Sequence, residues 1–214
     1  MRTSIIAIFL MCAVCAPAWA RPVSYAGGWT LATYNDGDSD SGIIHYSPKA
    51  DRSLGIRAEY FREKDWLMTA GQFNALVKRW NEPGWQANAY VKSGAGWAYK
   101  CDGPPENRSE LALFSGFAAD WENRRYYISY ENRLLYAGHI HRDIEQKARV
   151  GIAPYIGGYG DIHTWLMCEV RYFPGMKHDQ FMVTPLVRFF KGAVMAEVGC
   201  SIKGDVLFNW VMFF

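Results

Sequence analysis

The feature that most limits what this chain can become is its period. From residue 28 to the last residue, apolar side chains return at every second position, and almost no segment repeats at the spacing of a helix. Such alternation places successive side chains on opposite faces of an extended chain. Twelve segments carry it, at approximately 28–35, 42–48, 53–62, 65–80, 86–99, 110–121, 124–138, 145–157, 162–173, 180–190, 193–202 and 205–214. Turn-forming clusters punctuate them, among them Asp36-Gly37-Asp38-Ser39-Asp40-Ser41, Ser47-Pro48-Lys49, Asn81-Glu82-Pro83-Gly84, Gly157-Gly158, Pro174-Gly175 and Lys203-Gly204-Asp205. No linker, internal repeat or low-complexity tract interrupts the series. The reading is an all-β, antiparallel up-and-down meander of about twelve strands, with ten as the alternative, in a single domain over 21–214.

The alternation has two faces in each segment. In 53–62, Leu54, Ile56, Ala58 and Tyr60 oppose Ser53, Gly55, Arg57 and Glu59. In 124–138, Tyr126, Ile128, Tyr130 and Leu134 oppose Arg125, Tyr127, Ser129, Glu131 and Arg133. In 193–202, Val194, Ala196, Val198 and Cys200 oppose Met195, Glu197, Gly199 and Ser201. A soluble sheet would turn the apolar face inward. A transmembrane β-barrel reverses this, with lipid outside and a polar lumen. The polar faces carry both charge signs in mid-strand with small residues between them, as a narrow lumen requires. Aromatic residues gather at strand ends (Trp66, Trp80, Trp85, Trp97, Trp121, Tyr99 and Tyr136), as in the girdles at a membrane interface. These features favour the membrane barrel over a soluble exported β-sandwich or lipocalin-like barrel.

Residues 1–20 read as a secretory signal peptide. Arg2 supplies the positive start, Ile5–Val14 a short apolar run, and Ala18-Trp19-Ala20 the small residues before a cleavage point. Removing them leaves 194 residues with a net charge of +1, against +2 for the whole chain. That charge is too small for a nucleic-acid binder. The 50% apolar content excludes a disordered chain, and a mean hydropathy of −0.15 excludes a multi-helix membrane protein. Cys101, Cys168 and Cys200 then remain, an odd number with no C-x-x-C, which reads as structural. No cofactor motif occurs.

The last strand ends at Phe214, with Val206, Phe208, Trp210 and Met212 at alternate positions before it. This pattern resembles the C-terminal assembly signal of bacterial outer-membrane β-barrel proteins. The resemblance implies a location in the outer membrane, with lipid and the barrel-assembly machinery as partners. It names no substrate.

Four groups of residues are candidates for function. The first is the lumen, where Arg57, Glu59, Lys92, Arg125, Glu131, Arg133, Lys147, Arg149, Glu169, Arg171, Arg188, Glu197 and Lys203 share the inward face. Bases exceed acids there by nine to four, so an open lumen should favour anions. A salt-bridged filling of a closed barrel is the competing reading. The second is Asp36, Asp38 and Asp40, spaced like the start of a calcium loop but lacking its distal Glu and its sixth-position Gly. The third is His139 and His141, with Met176-Lys177-His178, as soft-metal ligands. The fourth is His45-Tyr46-Ser47 with Glu59. It is similar to the His-x-Ser element of the lipid A 3-O-deacylase family, although in that family the element lies near the C-terminus. The expected function is a small channel or transport-type barrel for an unidentified solute or ion. A non-conducting structural or adhesive barrel and a lipid-modifying hydrolase are the alternatives.

Overall fold

The computed structural model describes residues 23–101, 108–158, 160–175 and 180–214. The strands are β1 Trp29–Asn35, β2 Ser39–Lys49, β3 Arg52–Phe61, β4 Trp66–Glu82, β5 Trp85–Lys100 and β6 Ser109–Asn123. They continue as β7 Tyr126–Ala137, β8 His141–Ile152, β9 His163–Tyr172, β10 Phe181–Lys191, β11 Val194–Cys200 and β12 Val206–Phe213. Each pairs antiparallel with its neighbours in sequence, and β1 pairs with β12 to close the barrel. Closure leaves no row of unpaired amides, a requirement for any sheet surrounded by lipid. At the seam the Trp29 amide donates to the Phe214 carbonyl at 2.6 Å, and the Phe214 amide donates back to the Trp29 carbonyl at 3.0 Å. This rim is called the terminal rim below. The opposite one, with the β1–β2, β3–β4 and β7–β8 turns, is the loop rim.

The side-chain pattern is that of a membrane barrel. Leu54, Ile56, Ile128, Val150, Leu166, Val198, Val206 and Phe208 are exposed on the outer surface, while Ser53, Glu59, Glu169, Glu197 and Asn209 are buried inside. Trp80, Trp85, Trp97, Tyr99 and Tyr136 are exposed as well. Trp66 departs from the expected girdle. It is 0% exposed and turned inward, stacked on Phe61 with ring centroids 4.0 Å apart. Its even-numbered position in β4, shared with Met68 and Ala70, fixes this inward direction.

Strand heights are unequal. β4, β5 and β6 run 17, 16 and 15 residues, whereas β1 and β11 have seven each. A register shift between Leu76 and Lys78 reverses the faces of β4, so that beyond it Trp80 points out while Arg79 donates inward to Asn88 Oδ1 at 2.9 Å. Two strands depart from the sequence reading by three residues or more. β8 covers His141–Ile152 instead of 145–157, because the chain breaks at Ala153-Pro154 and a long connection reaches β9. β2 starts at Ser39 because Asp36 Oδ1 accepts from both the Asp38 and Ser39 amides at 2.9 Å, tightening the loop to three residues.

Candidate functional site in the barrel interior

Arg57, Glu59, Glu131, Arg133, Arg149, Glu169, Arg171, Arg188 and Glu197 occupy inward strand positions, and each takes part in an ion pair. Glu197 of β11, 0% exposed, accepts from Arg188 Nε of β10 at 2.7 Å and from Arg149 Nη1 of β8 at 3.1 Å. Asn209 Nδ2 of β12 fills its remaining oxygen at 2.7 Å. Arg149 also reaches Glu169 of β9 at 2.5 Å, and Arg171 binds that same carboxylate at 2.8 Å. Arg171 then lies 3.8 Å from Glu145, which Arg133 of β7 contacts at 3.1 Å. Finally Arg133 donates to Glu59 of β3 at 2.8 Å, and Arg57 lies 2.9 Å from the same group. One network therefore links β10, β11, β8, β9, β7 and β3. Its Arg133–Glu59 step joins strands that are not neighbours in the sheet. Beside it, Lys92 of β5 donates to Glu131 of β7 at 2.5 Å, with Lys147 3.8 Å from that carboxylate. Glu59, Glu169 and Glu197 each have at least two cationic or amide partners, which offsets the cost of removing these charges from water.

At the loop rim the β1–β2 loop leans over this network. Arg171 donates to Asp36 and, at 3.2 Å, to Asp38. Burial raises the Asp36 carboxyl pKa, but the facing Arg171 guanidinium and the loop amides outweigh it and hold the group below its ordinary value. Asp38 goes the other way. Burial, together with Asp36, Glu145 and Asp205, outweighs Arg171 and pushes it up to about 6. Asp40 is held by Arg62 of the β3–β4 turn.

A cavity of about 250 Å³ runs through the middle of this arrangement and is lined by side chains from all twelve strands. Among the described residues, eight Arg or Lys and eight Asp or Glu line it. The excess of base read from the sequence is therefore absent. Arg125 and Lys203 lie in exposed turns, outside the lumen, while Asp36, Asp38, Asp120 and Glu145 join the wall. Alternation places residues only within strands, so charges at strand ends and in loops escaped it.

The other candidates come apart. His45, Ser47 and Glu59 all face inward, but they do not meet. His45 Nδ1 lies 3.2 Å from the Asn74 amide nitrogen, Ser47 Oγ accepts from the Ser24 amide at 3.0 Å, and Glu59 is held by Arg57, Arg133 and Ser39. Register explains this. His45 stands opposite Gly55 and Ser41 opposite Glu59, four residues apart along the strand. These three are therefore not held as base, nucleophile and orienting group in one hydrogen-bonded set. The aspartates of the acidic loop are taken by Arg171 and Arg62, and His139 lies in the β7–β8 turn rather than beside His141 on a strand face. Among the described residues no group of three His, Cys, Asp or Glu could hold a metal ion. His141 itself contacts Lys64 Nζ at 3.1 Å and packs near Phe61 and Trp66. Cys168 and Cys200 are free thiols. Residues 1–20, read as a signal peptide, and Met176-Lys177-His178 lie outside the described residues.

The sequence reading passed over a set of inward uncharged polar groups in the terminal half. Asn74 Nδ2 donates to Ser53 Oγ at 2.9 Å, and Gln72 Nε2 donates to Asn74 Oδ1 at 2.7 Å. Their parity, shared with Trp66, Met68 and Ala70 and opposite to Leu67 and Phe73, was the available signal.

No protein-family model matches the chain, and no curated protein sequence matches it either. Solved structures do. The KdgM porin in complex with disordered oligogalacturonate aligns over 87% of this chain and 98% of its own, with a TM-score of 0.51 and 8% identity. A second KdgM porin structure aligns over the same shares with a TM-score of 0.49 and 9% identity. LpxR from Salmonella typhimurium aligns over 87% of this chain and 99% of its own, with a TM-score of 0.44 and 7% identity. At this identity the first likeness is one of fold: the chain has the closed twelve-stranded architecture of an outer-membrane β-barrel.

Proposed function

We propose that this protein is an outer-membrane channel of narrow bore, passing small solutes or ions through a lumen whose walls carry equal numbers of both charges. In this reading residues 1–20 direct export and are removed, the apolar outer band meets lipid, and the barrel-assembly machinery inserts the chain. The observation that carries it is the cavity lined by all twelve strands, with charged groups along its walls. Arg57, Glu59, Glu131, Arg133, Arg149, Arg171 and Arg188 are the residues assigned to the passage, with Glu169 and Glu197 buried against these arginines and holding them in place. The balance of charge supports weak selectivity in place of the anion preference expected from sequence. A twelve-stranded barrel lies between packed eight-stranded barrels and open porins in width, which suits a narrow bore.

A non-conducting barrel is the second reading, favoured by the Arg133–Glu59 contact between strands that are not neighbours. Single-channel recording of the folded protein in a planar bilayer separates the two. Folding is checked beforehand by the mobility change on boiling. Small stable current steps with little preference for cation or anion are expected. Folded protein that inserts without steps overturns the channel and leaves the interior as a structural filling.

A further inference from the structure

The terminal half of the cavity contains a row of polar groups that neither the salt-bridge network nor the wall itself satisfies. Thr30 of β1 stands directly opposite His45 of β2, His45 opposite Gly55 of β3, and Gly55 opposite Gln72 of β4. Thr30, His45 and Gln72 are 5%, 4% and 4% exposed, and all three line the cavity. Thr30 Oγ1, His45 Nε2 and Gln72 Oε1 have no hydrogen-bond partner among the described residues. Three such atoms in one row are unusual, because buried polar groups are almost always paired.

The surrounding bonds fix what these atoms offer. Asn74 uses its oxygen to accept from Gln72 and its nitrogen to donate to Ser53, so that nitrogen also donates to His45 Nδ1. A neutral imidazole that accepts at Nδ1 carries its proton on Nε2. Nε2 is then an unpartnered donor on a residue that lines the cavity. Gln72 gives one N–H to Asn74, which orients the amide, and its oxygen, an acceptor, is left without a partner. Thr30 supplies a hydroxyl that can do either. Glycine keeps the row open: a Cβ at Gly55 would lie 2.2 Å from His45 Cδ2 and 2.0 Å from the Ile44 carbonyl oxygen. Any larger residue there would displace the imidazole.

We propose that Thr30, His45 and Gln72 form a binding site for the hydroxyl groups of a neutral, polyhydroxylated solute. A hydroxyl accepts from His45 Nε2 and donates to Gln72 Oε1 at once. An anion would face the Gln72 oxygen, and a cation the His45 N–H. The nearby cations Arg57 and Lys92 are already neutralised by Glu59 and Glu131. The inference deepens the channel reading and rests on it for the solute's access to the lumen.

The test uses the protein labelled with ¹⁵N-histidine and folded in detergent micelles, with glucose as the probe. A His45→Gln variant identifies the His45 signals. The expected result is a neutral His45 protonated at Nε2, whose resonances shift to saturation with glucose. Gln72→Leu should weaken that response about tenfold, the loss of one hydrogen bond to a buried group. A proton on Nδ1, an unchanged spectrum at high glucose, or an equal response in Gln72→Leu overturns the proposal. The two readings fail separately: current steps without a glucose shift remove the site and keep the channel, whereas a shift without steps removes the channel and keeps the site.

Discussion

The inner wall changes character around its circumference. Between β4 and β7, at the loop rim, Trp66, Met68, Ala70, Ala98, Ala112, Phe114, Leu135 and Ala137 pack into a buried apolar cluster. From β7 round to β11, and across to β3, the same inward positions carry Arg–Glu pairs. Both sectors fill space inside one barrel, but they tolerate error differently. Apolar packing is non-directional, and its cost follows volume. A buried ion pair depends on charge balance, so the loss of one partner strands the other. The apolar sector should therefore tolerate a shape-preserving swap among apolar residues, whereas a shape-preserving loss of charge in the ionic sector should be severe.

The sharpest way to break that contrast is a pair of near-isosteric substitutions. Glu197→Gln keeps the shape but leaves Arg149 and Arg188 short of charge, and it should destabilise the barrel by roughly 3–5 kcal/mol. Met68→Leu keeps both volume and polarity and should cost under about 1.5 kcal/mol. Urea unfolding in lipid vesicles measures both, and equal losses would erase the distinction between the sectors. Truncation gives the matching result on the apolar side: Phe114→Ala should cost about 3–5 kcal/mol through the cavity it leaves.

Glu131→Gln tests what the ionic side does beyond holding the wall. It removes one negative charge from a balanced lining and frees Lys92 and Lys147. Reversal potentials across a salt gradient should move toward anion preference. An unmoved potential accompanied by a lower unfolding midpoint would assign Glu131 to structure alone.

The smallest effect belongs to the loop that leans on the ionic side. Asp38 is raised to about 6 by burial and its acidic neighbours, against an ordinary value of 3.8. The folded state thus holds the proton more tightly than the unfolded chain, and stability should rise as pH falls from about 7 through 6 toward 4. Asp36, held low by Arg171 and the loop amides despite its burial, contributes in the opposite sense and is lost only in stronger acid. Asp38→Asn should raise the unfolding midpoint at pH 7 and flatten the profile between pH 7 and 5. A profile unchanged by the substitution would place the titration elsewhere.

Much of this molecule is legible before any coordinates. Alternation assigns Arg57, Glu59, Glu131, Arg133, Arg149, Glu169, Arg171, Arg188 and Glu197 to one face, because a pleated strand leaves each residue only two directions. It fails where the strand geometry does. Trp66 looked like a girdle residue because it sits at a strand end, yet its parity with Met68 turns it inside. Arg125 and Lys203 have the inward parity but fall in turns. Asp36 and Asp38 look like a cation loop in one dimension, and Arg171, more than a hundred residues away, takes them in three.

What the sequence determined by itself is the period, a strand count near twelve and the inward face of the charges within strands, since alternation follows from local covalent geometry. The tertiary structure alone decided the partners. Which arginine meets which carboxylate, why His45 faces Asn74 and not Ser47, and why Thr30, His45 and Gln72 share one row all depend on strand register and on the closure of β1 against β12. Register slides a whole strand against its neighbour, so it changes contacts between distant residues while leaving the alternation untouched.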